Sequence, residues 1–296
     1  MIRACLGLVL LAVVALCGGC TITGLEETAQ RVNWPVDATT AFGCTPVGVD
    51  FFGANVRGSG SGVFVSAQWL LTASHAVPEG TNFAWVWMGP GPHSGVLVRV
   101  ELVLRGGGEP VEAGDWALVR FSESVRRLGA MPGQLGGKIG EDSGVLVVGF
   151  PTSDRPDPGA HSARDAVALW SALPRAEGLD RGEGPVRYLR MVRGWSRLGG
   201  ASGGPVIVEG PDGQPRVAGL LLGRIEYRGL WRRGRAIVVH DVPPQAYLAA
   251  SGALDDLPLG LGGRGVLVQE TGWPGDGATL ASDGDGIPQR QAASRR

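Results

Sequence analysis

The sequence predicts an all-β domain, and three observations carry that expectation. From Val47 onward, short apolar runs recur between clusters of glycine and proline, as strands do between turns. The stretch Asn82-Phe83-Ala84-Trp85-Val86-Trp87 partly alternates, as a half-buried strand does. Little before Pro243 shows sustained helical periodicity.

The elements follow in order. Strands are expected at Val47 to Phe52, Gly62 to Ser66, Phe83 to Met88, Gly95 to Leu104 and Ala117 to Phe121. A second group is expected at Gly144 to Phe150, Val186 to Val192, Pro205 to Glu209, Arg216 to Leu222 and Ala236 to Val239. Pro244 to Ser251 reads as a short C-terminal helix that begins near a proline. Arg155 to Arg181, rich in Arg, Asp, Pro and Ala, reads as an exposed loop of the second group. Residues 252–296 are Gly- and Asp-rich, with little apolar content apart from Gly265-Val266-Leu267-Val268. They read as a mostly disordered tail. Asp283-Gly284-Asp285-Gly286 lacks the further ligands of a calcium loop and reads as part of that polar tail.

The N-terminus is read as leader and tether. Met1-Ile2-Arg3 is a short basic region, and Ala4 to Leu16 is apolar but too short for a comfortable membrane span. Residues 1–19 are therefore expected to be a secretory signal peptide. Gly18-Gly19-Cys20 resembles the bacterial lipoprotein processing box, although Cys17 stands where that box usually has leucine. The resemblance implies cleavage before Cys20, lipidation of Cys20 and anchoring to the bacterial cell envelope by several acyl chains. Plain secretion, periplasmic or extracellular, is the alternative. Residues 20–45 read as a tether with a short helix at Leu25 to Val32, and residues 46–251 as the folded domain. Of four cysteines only Cys20 and Cys44 would survive processing, so no disulfide is expected. A domain of that size can bury a core without one. Cys44 reads as a small packed side chain rather than a reactive thiol.

Charge says little about partners. The net value is −1, from 27 basic and 28 acidic residues. No basic run suggests nucleic acid, and no Cys or His spacing suggests zinc, so neither cofactor nor metal is expected.

The chemistry centres on Gly199-Gly200-Ala201-Ser202-Gly203-Gly204-Pro205. Four glycines and a proline around one serine can hold a hydroxyl at a tight turn and aim backbone N–H groups into one spot. Acyl transfer needs both a positioned nucleophile and donors where negative charge develops. A serine also needs a base. His75 stands after a strand, a turn and a second short strand, in Leu71-Thr72-Ala73-Ser74-His75. A carboxylate to fix its imidazole is offered by Asp115, directly before the apolar run Trp116 to Phe121. Glu109 and Glu112 are nearby, but neither precedes that run directly, and His93, His161 and His240 lie in unlike contexts.

Leu71-Thr72-Ala73-Ser74-His75, Asp115-Trp116-Ala117-Leu118 and Gly200-Ala201-Ser202-Gly203-Gly204-Pro205 resemble the three motif blocks of the trypsin-like serine peptidases, in that family's order. Val145 to Pro151 also resembles a strand and turn of the family's second barrel. The likeness spans roughly residues 46 to 250. It implies two six-stranded antiparallel β-barrels with the active site between them. It further implies a serine endopeptidase in which Ser202 attacks a carbonyl, His75 moves the proton, and Asp115 holds the imidazole. The backbone N–H groups of Gly200 and Ser202 would bind the oxyanion. The residue six before the serine, Ser196, would lie at the base of the specificity pocket, with Arg224 near its wall. A neutral base argues against Arg or Lys selection. A cation would favour acidic side chains, with small or neutral ones as the alternative. Ala201 replaces the aspartate that receives a new N-terminus in the digestive members, so activation by that cleavage is not expected. Two other readings stay open: a non-catalytic, lipid-tethered binding module, and an esterase with the same triad.

Overall fold

The computed structural model describes residues 30–32, 42–87, 95–123, 130–139, 145–150, 169–172, 184–190, 199–228, 233–257 and 266–267. Two mainly antiparallel sheets are built from successive parts of the chain, except that its first strand joins the second sheet and its last strand the first. The first is a closed barrel of six strands: β2 (Pro46–Gly53), β3 (Arg57–Phe64), β4 (Trp69–Thr72), β5 (Thr81–Trp87), β6 (Gly95–Arg105) and β7 (Ala117–Phe121). Its ring runs β2–β3–β4–β7–β6–β5 and back to β2. Closure depends on β6. A register shift between Val100 and Leu102 bends this long strand, so its first half pairs with β5 and its second with β7. Extra residues of this kind add bend and twist, which a small barrel needs. Alternation then fills the interior with Val47, Val49, Phe51, Phe64, Leu70 and Phe121.

The second sheet runs β1-β9-β8-β11-β12-β13-β10. Its members are β1 (Gln30–Val32), β8 (Leu146–Gly149), β9 (Leu169–Ala172), β10 (Val186–Arg190), β11 (Pro205–Glu209), β12 (Pro215–Arg228) and β13 (Arg233–Asp241). Among the described residues this sheet does not close, so only one of the two expected barrels is seen closed. Among the described residues β1 pairs with the outer edge of β9, and β10 pairs with β13 alone. Val147, Val206, Leu221, Ile237 and Val239 form this sheet's own core. A further cluster, including Val63, Leu71, Leu118, Val148, Leu220 and Val238, joins the two sheets.

Other expectations need correction. Gln30–Val32 is not the end of a helix but a strand paired with Leu169–Ser171. A helix of eight residues is marginal in water, whereas a sheet edge supplies ready partners. Arg155 to Arg181 is not loop throughout, since it contains β9, which adds to β8. Phe42 and Cys44, within the expected tether, are buried. Helix α1 (Pro244–Ala250) forms where expected, with prolines at its start. The chain beyond it stays packed at first: Leu254 is buried, and the Trp69 indole donates to Asp255 Oδ1 at 2.9 Å. Farther along the expected tail, β14 (Val266–Leu267) runs parallel to β6 at Leu104 and Arg105.

Candidate active site between the two sheets

Three segments meet where the sheets face each other. β4 ends at Thr72, and the chain turns through one 3₁₀ turn, Ser74–Ala76, that carries His75. β7 begins at Ala117, two residues after Asp115, and Thr72 pairs with Ala117 across the barrel. That register brings the histidine turn beside the carboxylate. His75 Nδ1 lies 2.7 Å from Asp115 Oδ2, and the His75 backbone N–H donates to Asp115 Oδ1 at 3.0 Å.

Asp115 is fully buried. A buried carboxylate needs donors, and this one has a third: the Val111 N–H reaches Oδ2 at 2.6 Å. Val111 adopts φ 70°, an uncommon conformation for a β-branched residue. The strain turns its N–H toward the carboxylate. An oxygen that accepts from Val111 acts as an acceptor toward His75 as well, so Nδ1 carries the proton. The opposite ring nitrogen, Nε2, is left without a proton. The His75 side chain is 28% exposed and Asp115 is not exposed at all, so the pair opens to solvent only on the histidine side.

The serine loop docks against β3 and the end of β4. Gly203, at φ 86°, sits where a Cβ would come within 2.2 Å of both Ser61 O and Thr72 Oγ1, so only glycine fits. Gly60 has the same role on β3: a Cβ there would meet Ala76 Cβ at 2.6 Å and Ser202 O at 3.0 Å. Ser202 and the residue after His75 therefore flank one glycine. The Ser61 N–H donates to Ser202 O at 2.6 Å, and the Gly203 N–H to Leu221 O at 2.6 Å. Both sheets thus hold the loop.

Two residues to which the sequence analysis gave no part support these segments. Ser61 is buried and links the two sheets. Its Oγ accepts from the Phe150 N–H at 2.8 Å and lies 3.1 Å from Gly200 O and 3.4 Å from Phe150 O. One hydroxyl hydrogen can serve only one carbonyl; the shorter contact assigns it to Gly200. His240 is buried on β13 and accepts from the Gly114 N–H through Nε2 at 3.3 Å, one residue before Asp115. Its Nδ1 then holds the proton, facing Asp241 O at 2.5 Å. The only sequence signal for Ser61 is its position between two glycines; His240 gives none.

Gly200 lies in the serine loop with Ser202, and Ala201 is buried beneath it. Arg224 is exposed on β12, next to Gly223. Ser196 and Cys20 lie outside the described residues. Cys44 is a free buried thiol whose pKa burial pushes up to about 12. Among the described residues, no group of three or more His, Cys, Asp or Glu could hold a metal ion.

A family model of the trypsin-like peptidase domain matches residues 60–215, just over half of the 296-residue chain. The chain belongs to the trypsin-like peptidase family. The match takes in His75, Asp115 and Ser202 together. A peptidase domain implies protein or peptide substrates. Comparison with curated proteins gave no match. No helix among the described residues is long and apolar enough to cross a membrane.

Proposed function

We propose that the chain is a serine endopeptidase that cleaves peptide bonds through an acyl-enzyme, with Ser202 as nucleophile, His75 as general base and acid, and Asp115 as the imidazole's partner. The observation that carries this reading is the buried Asp115 carboxylate, held by two backbone N–H groups and facing His75 Nδ1 at 2.7 Å. A carboxylate so placed fixes the tautomer that leaves Nε2 free to take the serine proton. It then stabilises the imidazolium that forms. The Gly200 and Ser202 N–H groups receive the negative charge of the tetrahedral intermediate. His75, protonated, passes the proton to the leaving amine, and water repeats the sequence to release the acid.

The buried Ala201 leaves no charged group at that position to receive a new N-terminus. We therefore propose a domain active as folded, without proteolytic activation of that kind. A neutral Ser196 and an exposed Arg224 favour acidic or small neutral side chains over Arg and Lys. Cys20 is proposed as the lipid-bearing residue that tethers the domain to the envelope; this rests on the leader sequence alone.

The test is digestion of an unfolded protein by the purified chain, with cut sites mapped by mass spectrometry and Ser202→Ala as control. Cleavage by the wild type alone, with few cuts after Arg or Lys, supports the proposal. Hydrolysis of activated esters without protein cleavage would make it an esterase. No turnover of either, by folded protein, would make it a binding module.

A further inference from the structure

The guanidinium of Arg105 makes three hydrogen bonds, all to the short segment that carries His75. Nη1 donates to Ser74 O at 3.0 Å and lies 3.2 Å from Ser74 Oγ, and Nη2 donates to Pro78 O at 3.2 Å. The segment 74–78 is thus gripped on either side of His75. Arg105 ends β6, and its register partner is Ala117, which in turn pairs with Thr72. One row across the barrel therefore joins Arg105, the strand that follows Asp115 and the strand that leads to His75.

A partly buried cation is costly unless it is well compensated. Burial lowers the Arg105 pKa, and the nearby charge of Glu79 acts against that shift. Its Nε is buried without a hydrogen-bond partner among the described residues. An apolar side chain would pack a barrel rim with less penalty. The arrangement is intelligible if the fork's task is to fix two carbonyls in space, which a planar guanidinium does better than an ammonium.

We propose that Arg105 is a positioning residue for the proposed reaction: its fork fixes the turn 74–78 so that His75 keeps one orientation toward both Asp115 and Ser202. The inference rests on His75 as the general base. It adds a requirement that the motif blocks do not contain, because Arg105 lies 31 residues from Ser74 and touches no reacting atom. Without the fork, the two carbonyls lose the donor that ties them together and keep only local ones, the Val77 N–H on Ser74 O at 3.0 Å and Thr81 Oγ1 on Pro78 O at 2.7 Å, so the turn is held less tightly. A displacement near 1 Å at a catalytic group can cost about a hundredfold in rate.

The experiment compares wild type, Arg105→Met and Arg105→Lys in the rate of labelling by a fluorophosphonate, measured to saturation, with thermal unfolding of each. Arg105→Met is expected to lower the limiting labelling rate by about ten- to a hundredfold. The probe concentration at half-saturation should stay within about threefold, because binding of the small probe does not involve the turn. Arg105→Lys, which restores a charge and donors but not the fork, should recover part of the rate. A purely structural role would instead lower unfolding temperature in both variants and leave the limiting rate of the folded fraction unchanged. That result, or wild-type labelling by folded Arg105→Met, overturns the inference. His75→Ala is included: labelling that survives in it overturns the reading of His75 itself, and this inference with it.

Discussion

Replacing Asp115 by asparagine changes one oxygen to an amide nitrogen inside a site that is fully buried. The carboxylate now accepts three N–H groups: Oδ1 takes the His75 backbone N–H, and Oδ2 takes the Val111 N–H and His75 Nδ1–H. Asparagine has one acceptor oxygen. With its oxygen at the Oδ2 position, its amide confronts the His75 backbone donor. With its amide there, it confronts the Val111 donor and forces His75 to accept at Nδ1. Either way a buried backbone donor is orphaned, at a cost of about 1–3 kcal/mol. The second arrangement moves the imidazole proton to Nε2 and removes the base. Even in the first, no charge remains to stabilise the imidazolium. The expected loss in kcat/KM on an activated ester is about ten-thousandfold, or about 5.5 kcal/mol of transition-state stabilisation. The assay is ester hydrolysis beside thermal unfolding, so that folded fraction and rate are read separately. Asp115→Asn that stays folded and works within tenfold of wild type would refute the reasoning.

Three other outcomes are expected. Gly203→Ala places a Cβ 2.2 Å from Ser61 O and Thr72 Oγ1 at a positive φ; the serine loop must move off β3, and labelling of Ser202 should fall by at least tenfold while circular dichroism stays β-rich. Cys44, with a thiol pushed up to about 12 by burial, stays neutral and enclosed at pH 8, so iodoacetamide should modify the Cys44 peptide only after unfolding; mapping by mass spectrometry checks this. Desolvation raises the Asp241 pKa, against the opposing pull of Arg187 and His240. A raised folded-state value means that the group contributes stability below its unfolded pKa and loses it as pH rises through the folded one. The unfolding temperature of Asp241→Asn should therefore improve relative to wild type as pH rises above the ordinary aspartate value of about 4, and a change in the opposite direction contradicts this assignment.

The proposed site was more legible than its supports, for a physical reason. A nucleophile, a base and an orienting acid each demand a residue type and a tight local setting, so Ser202, His75 and Asp115 announce themselves within short windows. Ser61, Arg105 and His240 act through bonds that reach across the fold. Ser61 and Gly200 are 139 residues apart, Arg105 and Ser74 are 31, and His240 and Gly114 are 126. No local pattern encodes such pairs. Strand periodicity located most of both sheets but failed where composition masked it. β9 lies inside a stretch dominated by Arg, Asp and Pro, and β1 inside one that looked like a tether. Leu254 and Asp255 anchor the start of a segment that reads as tail because single contacts leave little compositional trace. The β1–β9 pairing could not be foreseen either, since it joins two segments far apart in sequence.

The most direct test of the central claim is fluorophosphonate labelling of the purified chain at pH 8, beside Ser202→Ala and His75→Ala. The account predicts that wild type is labelled on Ser202 and that both variants, though folded, are not. Folded wild-type protein that takes up no label, or a label that persists in either variant, would contradict it.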